Sequence, residues 1–459
     1  MIRTVRSKSP REPNTLLRAL IAEARWTGQG LARAVDAAGA EIGLPLGYDR
    51  TAVAHWLGGS RPPARVAALV AEVLSRRLGR AISVRDTGLG PRGAPPLYGI
   101  PQQPDTRDDR VASLIELCSA DVHPTRRGAL RELVYTVAAV DAARTMTSAG
   151  AGKQESSQRG QAVRAMTGLF STADGLFGGG HVRHALTAYL ASDAVRWLRD
   201  PHPASTASAR RGLASAVAEL SYLAAFVCFD SRLHGLAQRY YLASLGVAAH
   251  AEDAALQATI LRGMSVQAFT LRHHGDAFQL AEAAVDVGRR GTALAPTRAA
   301  GLAGQLAASA ALDGRPREAA QQLRRAERLL DRAEPSDEPV GAYHRPALRF
   351  HEAEVRAAAG DTRGAIDVLS ASIRQRPGAE RRSRLVTVAR LAQLQLDLGH
   401  LDAACSTIDV LREDYPSLHS ARVAAMLDAL RTRLLPYSRN AQARATLDGI
   451  RDLRPLSGR

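Results

Sequence analysis

The amino-acid sequence predicts an all-α protein: a small helical domain followed by a long array of helix pairs. Three observations carry that prediction. Apolar residues make up 46% of the 459-residue chain but aromatics only 4%. Helices packed closely through small residues suit that mixture better than strands, which favour β-branched and aromatic side chains. Apolar positions recur with helical spacing almost throughout, and no alternating strand segment stands out. Five turn positions in the C-terminal half repeat at similar intervals, each flanked by small residues at the same offsets. A chain of this length exceeds one ordinary core, so two or more domains are expected.

Three segments read as irregular. Residues 1–13 are charged and hold Pro10 and Pro13, and are expected to be a flexible N-terminus. Residues 88–106 are dense in Pro and Gly and read as a linker. Residues 147–160 are small and polar and read as a second flexible linker. The expected divisions are therefore a domain over 14–87, a helical connector over 107–146 and a repeat domain over 161–455.

The first domain reads as four or five short helices. Leu16, Leu17, Leu20 and Ile21 make one apolar stripe. Thr27 can cap a helix that carries Leu31, Ala32, Val35 and Ala38 on one face. Asp49 can cap a short helix over 50–57, in which Val53, Trp56 and Leu57 face the core. Arg50, Thr51, Ala54 and His55 are then left outward. Gly58 and Gly59 end this helix. Pro62 and Pro63 can start the next, which continues through Val66, Val70, Val73, Leu74 and Leu78.

In the array, the turn positions are Arg232, Arg272, Gly314, Gly360 and Gly399, spaced 40, 42, 46 and 39 residues apart. Five residues after each stands alanine: Ala237, Ala277, Ala319, Ala365 and Ala404. Seven before stand Ala225, Ser265, Ala307, Ala353 and Ala392. Nine after stand Tyr241, Ala281, Leu323, Leu369 and Ile408. Twelve after stand Ser244, Ala284, Ala326 and Ser372, with Leu411 the exception. Small residues at these offsets let two antiparallel helices approach closely, and the larger column fills the gap between neighbouring pairs. Tetratricopeptide repeats run about 34 residues, so these are longer helices of the same design, with a HEAT-like solenoid the close alternative. Stacked pairs make a curved surface.

Charge is concentrated at the front. The chain carries +16, and residues 1–90 hold fourteen Lys/Arg against seven Asp/Glu, a surplus of seven in a fifth of the length. A small basic domain is the electrostatic footprint of a phosphate-backbone binder. Lys8 and Lys153 are the only lysines. That arginine bias points to a GC-rich genome such as an actinomycete's.

Several function classes find no support. Cys118, Cys228 and Cys405 are odd in number, far apart and without CxxC or Cys/His ligand spacing, so each reads as a small core residue rather than a disulfide or metal ligand. Gly178-Gly179-Gly180-His181 lacks the Lys-Ser/Thr of a phosphate loop and follows no strand, so it reads as a connector into a helix. His273 and His274 lie beside a repeat turn and read as solvated. Neither Gly-x-Ser-x-Gly nor HExxH occurs. No catalytic, metal or cofactor residue is assigned, no cofactor is expected, and the chain is not expected to be an enzyme. No 18-residue apolar run is found, so no transmembrane helix is expected, and Met1 to Pro13 lack the apolar stretch of a signal peptide. The expected location is the cytoplasm, with no membrane partner.

The string from Asp49 through Pro63 resembles the third helix and following turn of the phage-repressor-like helix-turn-helix family. The resemblance implies a helix that enters the major groove, with its N-terminal residues at base edges. Arg50, Thr51, Ala54, His55 and Arg61 are the candidate DNA-binding residues. The stretch from Ala40 to Tyr48 is longer than the family's tight turn. Further motifs reach across the chain: His123-Pro-Thr-Arg-Arg, Gly178 to Arg183, Ala188-Tyr-Leu, Ala218-Glu-Leu, Phe229-Asp230 and His234 to Tyr241. Together they resemble a family of actinomycete helix-turn-helix/tetratricopeptide regulators, some of which restrain sporulation and antibiotic production. The resemblance implies a transcriptional regulator with a duplex DNA partner. A homodimer reading two half-sites is expected, as is a peptide, small-molecule or protein ligand on the repeats. The alternative is a protein-interaction scaffold whose N-terminal module no longer reads DNA.

Overall fold

A computed structural model of the chain describes residues 12–41, 44–78, 80, 82–90, 107–123, 130, 133, 135–147, 157–200, 205–291, 294–334 and 343–453. Helix dominates these residues, and none lies in a β-strand. The protein is an all-α fold in which a small helical domain precedes an α-solenoid. It divides into two compact units, Met1–Gln103 with Glu132–Asp141, and Pro104–Arg131 with Ala142–Arg459.

The first unit holds α1 (Thr15–Glu23), α2 (Gly28–Glu41), α3 (Arg50–Leu57) and α4 (Ala64–Leu78). Their core gathers Leu17, Leu31, Val35, Val53, Trp56, Val70 and Leu74. Asn14 caps α1 by accepting from the Leu17 N–H at 3.0 Å, and its amide donates to the Thr87 carbonyl at 2.9 Å. Three expectations need correction. Leu16 is not part of the apolar stripe; it is 53% exposed, one position off the buried face. Pro62 and Pro63 precede α4 rather than lie in its first turn. The domain does not end at Thr87 either, because Leu89 is buried in the same core. The expected linker from 91 to 106 and the N-terminal 1–11 lie outside the described residues.

The expected connector divides. α5 (Arg107–Val122) belongs to the second unit and packs on the helices of the array. α6 (Val137–Thr145) follows, and the Val137 N–H donates to the buried Glu72 carboxylate in the first unit. Of the second expected linker, 148–156 lie outside the described residues. Ser157, by contrast, caps the next helix by accepting from the Gly160 N–H.

The array begins with α7 (Gln158–Phe177) and α8 (Gly179–Tyr189), the latter running through a π-turn (Leu190–Ala194) into α9 (Val195–Arg199). Five pairs follow: α10 (Ala207–Asp230) with α11 (His234–His250), α12 (Ala254–Thr270) with α13 (His274–Arg290), α14 (Pro296–Leu312) with α15 (Pro316–Leu330), α16 (Arg345–Ala358) with α17 (Thr362–Gln375), and α18 (Arg381–Asp397) with α19 (Leu401–Asp414). A last pair, α20 (Ala421–Leu434) and α21 (Ala441–Asp452), lies beyond the repeat columns seen in the sequence.

The five turn positions share one conformation. Arg232, Arg272, Gly314, Gly360 and Gly399 all have positive φ, between 59° and 86°. In each turn the following residue's N–H reaches back to the carbonyl five residues earlier, at 2.8 to 2.9 Å, as in Leu233 to Cys228 and His400 to Gln395. This is the Schellman closure, which satisfies the last carbonyls of the first helix. The alanine column five residues on is fully buried in all five pairs, and so are Ser265, Ser244 and Ser372. The serine hydroxyls are satisfied across the helix pair; Ser244, for example, donates to the Ala218 carbonyl at 2.7 Å.

From α10 to α16 each first helix packs on the next, α17 packs on α18, and the two ends of the array are in contact. α7 packs on α18, and α10 touches α20. Gly178, with φ 86°, separates α7 from α8. There the His419 N–H donates to the Phe177 carbonyl at 2.7 Å, and the Gly180 N–H donates to the His419 carbonyl at 2.9 Å. Buried Asp230 accepts from the Gly179 N–H at 3.0 Å and from the Ser420 hydroxyl at 2.8 Å. Arg382 pairs with Asp174 and lies 3.9 Å from Asp230, while Arg422 lies 3.7 Å from Asp230. The two guanidiniums also cover the rings of Phe226 and Phe229, at 4.7 and 4.9 Å. Burial works against the Arg382 charge, but Asp174 and Asp230 outweigh it and raise its pKa.

Motif residues noted in the sequence therefore have structural work. Arg183 forms a buried pair with Asp121 of α5, at 3.1 Å, and the Tyr240 hydroxyl donates to the same carboxylate at 3.0 Å. α10 meets the length and hydropathy of a membrane-crossing helix, with a mean hydropathy of 1.7, yet 89% of that stretch is buried inside the fold. It is a core helix of the array. All three cysteines are buried, and burial pushes the Cys228 thiol up to about 12.

Candidate nucleic-acid interface

The candidate surface is built on α3. Asp49 has an extended backbone, and its carboxylate accepts from the Thr51 and Ala52 N–H groups at 2.9 and 3.0 Å. These bonds, with Ala52 the strongest, lower the Asp49 pKa. A two-turn helix is too short to persist alone, so packing must hold it. Val53 and Trp56 supply that hold: both are buried, and Trp56 meets Tyr48 edge-on with ring centroids 5.2 Å apart. The helix ends at Gly59, whose φ of 90° few other residues adopt, with the Ser60 N–H closing on the His55 carbonyl at 2.9 Å.

With that face fixed, Arg50, Thr51, Ala54 and His55 are all exposed, and Arg61 is exposed in the turn that follows. The structure thus brings four of the five candidates onto one side of one helix. Ala54 contributes no polar group there. Its small side chain leaves room for a surface to approach between Arg50 and His55.

Two neighbouring groups were not among the sequence candidates. The Arg50 N–H donates to Gln29 Oε1 at 3.2 Å, so the starts of α2 and α3 lie side by side. A Cβ on Gly28 would sit 3.6 Å from Val53 and 3.9 Å from the Arg50 carbonyl. Thr27 caps α2 by accepting from the Gly30 N–H at 3.1 Å. Two helix N-termini, each with a positive dipole end, therefore share one edge of the domain. Thr27 was legible as a cap, but its distance from Arg50 is a tertiary fact.

The long connection after α2 is packed. The Tyr48 N–H donates to Asp36 at 3.0 Å, and Leu44 and Leu46 cover the core. A Cβ on Gly39 would lie 2.7 Å from Leu46, so the connection runs hard against α2.

Three other arginines of this unit are used internally. Arg76 pairs with Glu41 and Glu72 at 2.8 and 2.7 Å, and Arg80 pairs with Glu23 at 2.7 Å. Arg77 donates to the Ala24 carbonyl and lies over Trp26. Their positive charge is spent on holding α4 to α1 and α2, away from the α3 edge.

Residues 17–90 match the family described as SP15 N-terminal domain. That match coincides with α1 to α4 and the segment through Leu89, and leaves the array uncovered. No curated protein matches the chain.

Proposed function

We propose that this chain is a cytoplasmic DNA-binding transcriptional regulator. In this reading α2 and α3 form a helix-turn-helix, α3 enters the major groove, and the array dimerises and carries the regulatory ligand or partner. The observation that carries the reading is the exposed side of α3. Arg50 and Thr51 stand at its N-terminal end, His55 one turn on, and Val53 with Trp56 lock the opposite side. A recognition helix presents its N-terminal side chains to base edges in this way. The Arg50 guanidinium suits guanine O6 and N7. The adjacent N-terminus of α2 suits a backbone phosphate. The resemblance to actinomycete regulators adds development or secondary metabolism as the field of control.

The test is capture of sheared genomic DNA by the purified full-length protein, followed by sequencing of what is retained. A recurrent site with two half-sites about one helical turn apart supports the reading. Retention without any recurrent sequence rejects it. The packed connection through Leu44, Leu46 and Tyr48 favours a second reading, a protein-interaction scaffold, because it departs from the tight turn of repressor-like domains. Absence of DNA retention at low salt, with the fold intact, is the result that would select it.

A further inference from the structure

We infer that the elbow between α17 and α18 is a binding site for a small phosphorylated anion, a phosphate monoester or diphosphate. A cavity of 420 Å³ opens there, lined by Arg374, Arg376, Gly378, Arg381, Arg384 and Asp414. Four guanidiniums face one carboxylate in it. That volume falls in the range of small-molecule sites, about 300–1,000 Å³, and is too confined for a folded partner.

Internal pairing leaves charge over. Arg384 donates to Asp414 at 2.5 Å, and Arg376 donates to Glu380 at 2.7 Å. Among the described residues Arg381 has only the neutral Ser417 hydroxyl, at 2.8 Å. Arg374 makes no hydrogen bond or ion pair among the described residues and is exposed. Two positive charges thus remain without a carboxylate among the described residues. Arg376 adds an unmet donor: its side chain is 5% exposed, and its Nε is buried with no acceptor among the described residues. Its other nitrogens donate to the Glu380 carboxylate, the Pro346 carbonyl and the Ser372 hydroxyl, and a buried donor left unpaired is costly, so a ligand oxygen that reached Nε would be bound favourably.

The helix that forms one wall adds to this. Arg381, Arg382 and Arg384 all lie at the start of α18, the positive end of its dipole, where cations are disfavoured. Its N-cap residue, Glu380, makes no capping bond to the helix because its carboxylate is held by Arg376 and His344. A site with two uncompensated guanidiniums and an uncapped helix start matches a group of about two negative charges with several acceptor oxygens. A phosphate has both. Arginine forks also bind phosphate oxygens in pairs, which a single carboxylate uses less fully.

The test is calorimetric titration of the full-length protein with inorganic pyrophosphate at low salt, with citrate as the carboxylate comparison. Pyrophosphate should saturate a single site, and citrate should bind at least about tenfold more weakly. The double variant Arg374→Gln with Arg381→Gln should weaken pyrophosphate by about tenfold or more while leaving the melting temperature unchanged. Arg289→Gln with Arg290→Gln, on the exposed end of α13, should change nothing. Unsaturable binding, citrate as tight as pyrophosphate, or equal loss in the α13 control would overturn the inference. None of these outcomes depends on whether the chain reads a DNA sequence.

Discussion

A single side chain can be tested for its role when its neighbours separate charge from packing. Arg50 and Arg61 are both exposed, while Trp56, one turn from Val53 on the same helix, is buried. Arg50→Ala should cost about 1–3 kcal/mol on the specific DNA site and relax preference at one base pair. Arg61→Ala should weaken all sequences alike and lower the salt dependence by about one phosphate contact. Trp56→Ala should instead abolish binding by unfolding the domain, since losing a buried aromatic costs about 3–5 kcal/mol. Titrations at several salt concentrations, beside circular dichroism, distinguish the three. Unchanged affinity in a folded Arg50→Ala protein would remove α3 from the DNA surface. A second residue, His351, sets a pH dependence. It is buried against Tyr343, whose hydroxyl lies 2.7 Å from its Nδ1. Burial, then Arg262 and Arg376, lower its pKa to about 3. The unfolded chain takes up a proton near pH 6.5 that the folded chain refuses. Stability is therefore full above that pH and falls as pH drops toward 3, by on the order of 3 kcal/mol at pH 4. Urea midpoints from pH 7 to 4 should fall more steeply for the native chain than for His351→Gln. Parallel slopes would mean that His351 is protonated inside the fold.

At the scale of elements, the repeat columns were legible because what they encode is local. A left-handed turn and the alanine five residues on fall within one helix pair, so the chain records them at fixed spacing. The turn column mixes Arg and Gly, and this makes a testable contrast. Arg272, at φ 64°, holds a conformation that costs a side-chain-bearing residue about 1–2 kcal/mol. Arg272→Gly should raise stability by about 1 kcal/mol, and Gly314→Ala should lower it by a similar amount. Nothing lies within 4 Å of where the Gly314 Cβ would be, so its change would report backbone alone. Denaturant melts of the two variants should move in opposite directions; movement the same way would mean the turns do not set the pairing. The recognition element was less legible. Its buried and exposed faces followed from spacing, but the packing of Leu44, Leu46 and Tyr48 did not, because a nine-residue stretch without periodicity gives no sign of what it covers. Leu16 misled for a related reason: an apolar residue at the rim of a helical stripe reads as core.

For the whole molecule, the closure of the array was hidden from sequence reading. Gly178 to Gly180 read as a connector, and so it is; the reason for Gly178 and Gly180 lies some 240 residues away, at His419, and Gly179 instead lies against the Val227 carbonyl and Asp230. A Cβ on Gly178 would sit 2.6 Å from the His419 carbonyl oxygen, and one on Gly180 would sit 2.9 Å from it. Asp174 and Asp230 likewise gain their partners, Arg382 and Arg422, only when the array has curved round. No short-range pattern encodes such a contact. The arginine-lined elbow was hidden too, because arginine is common everywhere in this chain. Closure makes a definite prediction. Gly178→Val meets two obstacles at once: a φ of 86°, which valine adopts poorly, and the carbonyl of His419. The 419 segment must then move away and strip Asp230 of the Ser420 hydroxyl and its neighbouring charges. Breaking a buried ionic cluster costs about 3–5 kcal/mol. The variant should melt earlier, scatter X-rays with a larger radius of gyration, and become cleavable by protease near residues 418–420. Gly378→Ala, at a position with nothing within 4 Å, should do none of these. If Gly178→Val lowers the melting temperature but leaves the radius and the protease pattern unchanged, the strain is local and the array stays closed. If all three match the native chain, the contact at His419 contributes nothing to the fold, and the curvature must be fixed by the packing of successive first helices alone.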